Sequence, residues 1–244
     1  MSKSIGHEFM VKTRYENLEP SDQAKKIPQP ALELMYDQAN VIDLPMPEEI
    51  PAITIDFMAA VELRTSVRDY QHMPISILEL SFLLWCTQGV KQVIGNQATL
   101  RTVPSAGARH AFETYLLINQ VEGIKPGLYR FLAIEHKLME VNLQDGIAEE
   151  IMNACLGQKM VGNSAVTFIW TADISRMTWR YGERGYRYLH LDAGHICQNL
   201  YLSAQVIGCG VCALAAFDDE KLNQVIGMDG ENQFAVYLGT VGKR

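Results

Sequence analysis

The sequence predicts an α+β fold, one sheet layered with helices, and three observations point to it. Short segments rich in β-branched and aromatic residues lie between turn residues in the middle of the chain. Longer segments repeat their apolar residues at three- to four-residue steps, the spacing of a buried helix face. The two kinds of segment mix without a regular β-α-β alternation, which disfavours a doubly wound parallel sheet.

Residues 1–52 are polar, carry Pro20, Pro28, Pro30, Pro45, Pro47 and Pro51, and show no sustained periodicity. They read as an N-terminal extended arm over a surface, with residues 53–244 as the folded domain. Regular structure starts near Thr54, where TIDFMAAVELR has a helical rhythm. After Pro74, the residues Ile75, Leu78, Leu80, Leu83 and Leu84 fit a largely buried helix closed by Gly89. TYLLIN (114–119), GLYRFLAI (127–134) and KLMEVN (137–142) are expected strands. A helix follows at about 145–155, and SAVTFIWTAD (164–173) reads as a strand buried on both faces. From Thr178 to Ile207 there is no proline, and Tyr188, Leu191, His195, Asn199 and Leu202 recur at helical steps. One long central helix is therefore expected, ended by Gly208 and Gly210. Strand CGVCALAAF, helix DDEKLNQVIG and strand FAVYLGTVG complete the chain.

Composition narrows the function. The chain has 244 residues, 48% of them hydrophobic, enough for one substantial core. A formal charge of −7 and a pI near 5.4 weigh against nucleic acid, which calls for a basic surface stripe. The longest apolar stretches fall well short of the ~20 residues that span a bilayer, and the N-terminus lacks the apolar core of a secretory signal. A cytoplasmic protein with no membrane partner is the expectation. Five cysteines in mostly apolar surroundings suit reduced, buried thiols. Cys209 and Cys212 form a CxxC without a second pair to complete a zinc site. His190 and His195 are five apart, a poor match to a helical metal pair, so no metal is expected.

Four constellations could carry chemistry. In Arg64-Thr65-Ser66-Val67-Arg68, two guanidinium groups and the hydroxyls between them suit a phosphate monoester. A solvated face paired with Glu62 and Asp69 is the alternative. In Arg101-Thr102-Val103-Pro104-Ser105-Ala106-Gly107-Ala108-Arg109-His110, small residues make a tight turn whose backbone can approach a flat ligand, with Arg101, Arg109 and His110 as donors around it, unless it is a plain surface loop. The stretch from Trp179 to Asn199 crowds Arg180, Tyr181, Arg184, Arg187 and Asp192 onto a segment that must also bury an apolar face. The small-residue strand from Gly208 could press its backbone edge against a ring system, or simply be core.

In this order the pieces resemble the nitroreductase-like flavoproteins, most closely their SagB-type dehydrogenase branch. The residues that carry the resemblance are RTSVRDY (64–70), LLWCTQGV (83–90), RTVPSAGARHAFETY (101–115), YGERGYRYLHLDAGHICQNLYLSA (181–204), GCGVCALAAFDDEKL (208–222) and FAVYLGTVG (234–242). The resemblance implies a nitroreductase-like α/β sandwich with a central, mostly antiparallel sheet, and an intertwined homodimer with FMN at the subunit interface. It implies that Arg64, Thr65 and Ser66 bind the FMN phosphate and nearby ribityl oxygens, and that Arg68 reaches the ribityl chain and the N1/O2 edge. A fixed cation there suits the negative charge that reduced flavin gathers. Pro104, Ser105, Ala106, Gly107 and Arg109 would line the isoalloxazine from the second subunit. The backbone N–H of Leu214 or Ala215 would face flavin N5, and Lys243 would add a phosphate cation.

The implied activity is an FMN-dependent oxidoreductase that passes a hydride from NAD(P)H to a small organic acceptor, nitroaromatic or quinone-like. Two alternatives stand beside it: an azoline dehydrogenase of modified-peptide biosynthesis, and a flavin-binding or carrier protein with little turnover. Azoline-oxidising relatives often show Lys-Tyr where this chain has Arg180-Tyr181. Arginine is a poor general base, which leaves Tyr181 as the candidate catalytic proton donor or relay.

Overall fold

The computed structural model describes residues 4–36, 40–50 and 54–244. The boundary expected between residues 52 and 53 lies outside the described residues. The arm is not extended throughout. Its first element is a helix, α1 (Ile5–Lys12), begun by the Ser4 side chain accepting from His7 N–H. Further along, β1 (Val41–Asp43) joins the sheet as an edge strand.

Helix α2 (Phe57–Leu63) starts at Asp56, whose carboxylate accepts from Ala59 N–H. Helix α3 (Ile77–Gln88) starts at a capping box, in which Ser76 and Glu79 each accept the other's backbone N–H. Strands β2 (Val90–Ile94) and β3 (Ala98–Arg101) form a separate hairpin. Then come β4 (Phe112–Ile118), β5 (Gly127–Leu132) and β6 (Lys137–Asn142), followed by the short helices α4 (Ile147–Ala154) and α5 (Met160–Asn163) and by β7 (Val166–Asp173).

The single long helix expected from Thr178 is instead two, α6 (Ile174–Tyr181) and α7 (Gly185–Val206). Gly182 separates them with φ 53° and ψ −145°, a conformation closed to residues with a Cβ. Arg180 and Tyr181 therefore end α6 instead of beginning α7. The chain closes with β8 (Cys209–Leu214), α8 (Asp219–Ile226) and β9 (Gln233–Lys243).

The main sheet has the order β1-β6-β5-β4-β7-β9-β8, and every neighbouring pair is antiparallel. The α+β expectation is borne out. Alternation along the central strands sends Phe168 and Trp170 to one face and Ile169 to the other, and likewise separates Leu116 from Tyr115 and Leu117. Helices α3, α6 and α7 cover the first face, and α4, α5 and α8 the second. All five cysteines are unbridged, and Cys209 and Cys212 are buried on β8. Among the described residues no helix is long and apolar enough to cross a membrane.

Candidate functional site

Arg64, Thr65, Ser66 and Arg68 do not share a helix face. Arg64 caps α2 in an extended conformation, and Ser66 then forms a parallel bridge to Val211 at the outer edge of β8. Val67 N–H donates to the Val211 carbonyl at 2.9 Å. Val67 also packs onto Gly210, where a Cβ would stand 2.6 Å from the Val67 Cβ. The segment thus lies directly on the strand backbone. Among the described residues neither Arg64 nor Arg68 is ion-paired, with Glu62, Asp69 or any other carboxylate. Arg68 faces a cleft beside Gln158 and Lys159, and Gln158 Nε2 donates to the Ala216 carbonyl, just beyond β8, at 2.8 Å.

Tyr201 of α7 organises this cluster. Its hydroxyl accepts from Ala213 N–H at 2.9 Å and lies 2.9 Å from Ser66 Oγ, while the Arg64 guanidinium sits 5.4 Å from its ring centroid. Having accepted from Ala213, the phenol can give its proton to Ser66, whose own proton is then free for a ligand oxygen.

The second cluster gathers round residues 104–110. Gly107 (φ 57°), Ala108 (φ 52°) and His110 (φ 42°) all take left-handed conformations, so the loop is tightly wound. His110 N–H donates to Ser105 Oγ at 2.9 Å, and Ala106 N–H to Asp192 Oδ1 of α7 at 3.4 Å. Burial pushes the Asp192 carboxyl up, and the Ser105 hydroxyl and Ala106 N–H pull it partly back. A Cβ on Gly107 would overlap the Tyr181 hydroxyl and stand 2.9 Å from Arg180 Nε. Two motifs that are separate in the sequence are therefore one site. Arg109 turns away from the loop tip: Nε donates to the Gly107 carbonyl at 3.1 Å, Nη2 to the Gln97 carbonyl at 2.7 Å, and the guanidinium lies 5.4 Å from the Trp179 ring centroid.

Leu214 is held in the β8–β9 ladder opposite Leu238, and Ala215 is exposed just beyond the strand. Lys243 is engaged elsewhere. Its Nζ contacts the Glu79 carboxylate and donates to the Ile207 carbonyl at 3.2 Å.

Among the described residues no hydrogen bond or ring contact within one chain joins the Arg64–Arg68 cluster to the 104–110 cluster. They meet instead through α7, where Asp192 supports one and Tyr201 the other, nine residues or about 14 Å apart along the axis.

The model of the nitroreductase family matches residues 61–243, which holds every residue of both clusters. The chain belongs to this family. A protein of Methanocaldococcus jannaschii described as a candidate nitroreductase is 32% identical over 181 residues, covering 74% of this chain and 87% of the relative. The trifolitoxin-processing protein TfxB of Rhizobium leguminosarum bv. trifolii is 26% identical over 161 residues. That match covers 64% of this chain but only 43% of TfxB. The crystal structure of a candidate nitroreductase from Ralstonia eutropha shares the fold, with a TM-score of 0.69 at 24% identity, over 88% of this chain and 93% of the other. The family resemblance read from the ordered motifs is borne out, and the likeness to TfxB accords with the SagB-type branch.

In this nitroreductase-family chain Tyr201 and Asp192 organise the two clusters, a role that no motif in the sequence assigns to either. Tyr201 reads as one more apolar helical position, and the fold alone brings it to Ser66. Gln198 is exposed, whereas Asn199 ties α7 to α3 by donating to the Cys86 carbonyl at 2.8 Å.

Proposed function

We propose that the protein is an FMN-dependent oxidoreductase, working as a homodimer, in which NAD(P)H supplies a hydride and a small nitroaromatic or quinone-like acceptor removes it. The observation that carries this reading is the pair of clusters held apart on α7. One has the donors that suit a phosphate and the other the small, tightly wound loop that suits a ring, as a site completed by a second copy requires.

The residues fit FMN. Arg64 and Arg68, free of described carboxylates, would hold its phosphate end and its N1/O2 edge, with Thr65 and the Tyr201-oriented Ser66 adding hydroxyl donors. When bound, FMN supplies the hydride chemistry at N5. The outward edge of β8 carries the Val211 carbonyl and the Ala213 N–H, so a period of two assigns Ala215 N–H, not Leu214 N–H, to that edge. Ala215 is thus the proposed donor toward N5. Pro104, Ser105, Ala106 and Gly107 of the second copy would close over the ring. Lys243, committed to Glu79, is assigned a structural role.

Anaerobic mixing with NADH and then NADPH tests the reading. The FMN-loaded protein should bleach and recover its colour with a nitroaromatic or quinone. A protein that takes up no FMN overturns it, and a yellow protein that never bleaches indicates a flavin carrier.

The likeness to a trifolitoxin-processing protein supports a second reading, oxidation of an azoline in a modified peptide. Tyr181, whose hydroxyl lies against Gly107, is then the proton-bearing group, since Arg180 cannot serve as a base. Activity of Arg180→Lys on an azoline peptide, compared with the parent, tests this reading.

A further inference from the structure

A cavity of about 500 Å³ opens beside the 104–110 loop, which lines it through Gly107 and Arg109. Its walls include Arg109, Arg180, Trp179, Ile94 and two residues of the arm, Gln23 and Gln29. The arm is fastened over it. Gln23 N–H donates to the Trp179 carbonyl and Trp179 Nε1 to the Ile27 carbonyl, both at 2.8 Å, and Gln29 Nε2 reaches the Asn96 and Gln97 carbonyls at 3.0 Å.

Two guanidinium groups face this space with no described Asp or Glu paired to either. Arg109 has spent Nε and one Nη2 hydrogen on carbonyls, and its Nη1 makes no hydrogen bond to a described residue. Burial, and after it the charge of Arg180, lowers the hold of Arg109 on its proton, as expected of like charges brought together without a counter-ion. Such a pair is held at a cost that an arriving anion repays, and a guanidinium fork matches a carboxylate bidentately. Beside Gln23, Gln29 and Gln97, the side chains of Trp179, Ile94 and Ala98 add an apolar stretch of wall on which a flat organic body can rest.

We infer that this cavity binds the carboxylate of a small aromatic acid, between Arg109 and Arg180 and under the N-terminal arm. The inference depends on the proposed function in one respect, that the acid is the electron acceptor. The arm then completes the site, and Arg180 supplies the second cation that selects for charge.

Calorimetry on the FMN-loaded protein, without nicotinamide, tests the binding alone. Benzoate should bind, with benzamide at least roughly tenfold weaker and phenyl phosphate weaker than benzoate. Arg180→Gln, at an exposed position, should weaken benzoate by a similar factor and flatten its salt dependence, with the melting temperature checking that the fold is kept. Equal binding of benzamide and benzoate, tighter phenyl phosphate, no binding at all, or an unchanged Arg180→Gln would each overturn the site. A second arm compares turnover of 4-nitrobenzoate and nitrobenzene: preference for the acid, lost in Arg180→Gln, is expected. If benzoate binds but nicotinamide never bleaches the flavin, the oxidoreductase reading fails and the anion site stands.

Discussion

The hydroxyl of Tyr181 fills the space that a side chain would occupy on Gly107, so the end of α6 and the tight loop can meet only while residue 107 is glycine. Gly107→Ala meets two penalties, a left-handed φ of 57° and the overlap with Tyr181. It should lose about 1–3 kcal/mol of stability and most turnover. Tyr181→Phe removes the clashing oxygen, so a double-mutant cycle by urea denaturation should show coupling above about 0.5 kcal/mol. Strict additivity would rule out the contact.

Tyr201→Phe leaves Ala213 N–H without its acceptor and Ser66 without its partner. A stability loss of about 1–3 kcal/mol is expected. Faster FMN release on dilution should accompany it, and unaltered FMN retention would show that Ser66 needs no orientation.

Arg64→Ala and Arg68→Ala each remove a cation that no described carboxylate has claimed. Each should weaken FMN by about 1.5–3 kcal/mol, read by fluorescence titration of the apoprotein, with little change in melting temperature. Full affinity in both variants would move the phosphate site elsewhere.

Lys243→Met separates two explanations of one residue. Because Nζ is committed to Glu79 and the Ile207 carbonyl, roughly 1–3 kcal/mol of stability should be lost. FMN affinity should stay within about threefold of the parent at a temperature where both are folded. A large affinity loss with stability intact would restore Lys243 to the phosphate site.

His110 sets an acid limit. Burial, then the charges of Arg101 and Arg109, push its imidazole down from 6.5 to about 3, so the folded protein keeps it neutral while an unfolded chain takes up a proton. Stability should therefore fall as pH drops from 6.5 toward 3, and fall less in His110→Gln. Identical melting-temperature profiles over that window would dismiss the effect.

Most of the sheet was legible because strands such as TYLLIN and SAVTFIWTAD concentrate β-formers between clear turns. The break at Gly182 was not, since helical spacing continues on both sides and one glycine is compatible with a helix interior. Strand β1 is three residues long, too short for any periodicity, and exists because β6 offers it an edge. The binding motifs were legible as ordered residue types. Their division between two faces was not: it depends on Gly107 meeting Tyr181 and on Tyr201 reaching across to Ala213, contacts between positions far apart in the chain.

Nine residues along α7 place Asp192 and Tyr201 about half a turn out of phase, on opposite sides of one rigid rod. In the proposed dimer each rod therefore serves two different active sites, one with each side. A chain altered at Asp192 paired with a chain altered at Tyr201 would put both lesions into one site and leave the other wholly native. Mixing two crippled homodimers through a dissociation and reassembly step should then recover activity that neither parent shows, up to half the native rate in each hybrid molecule.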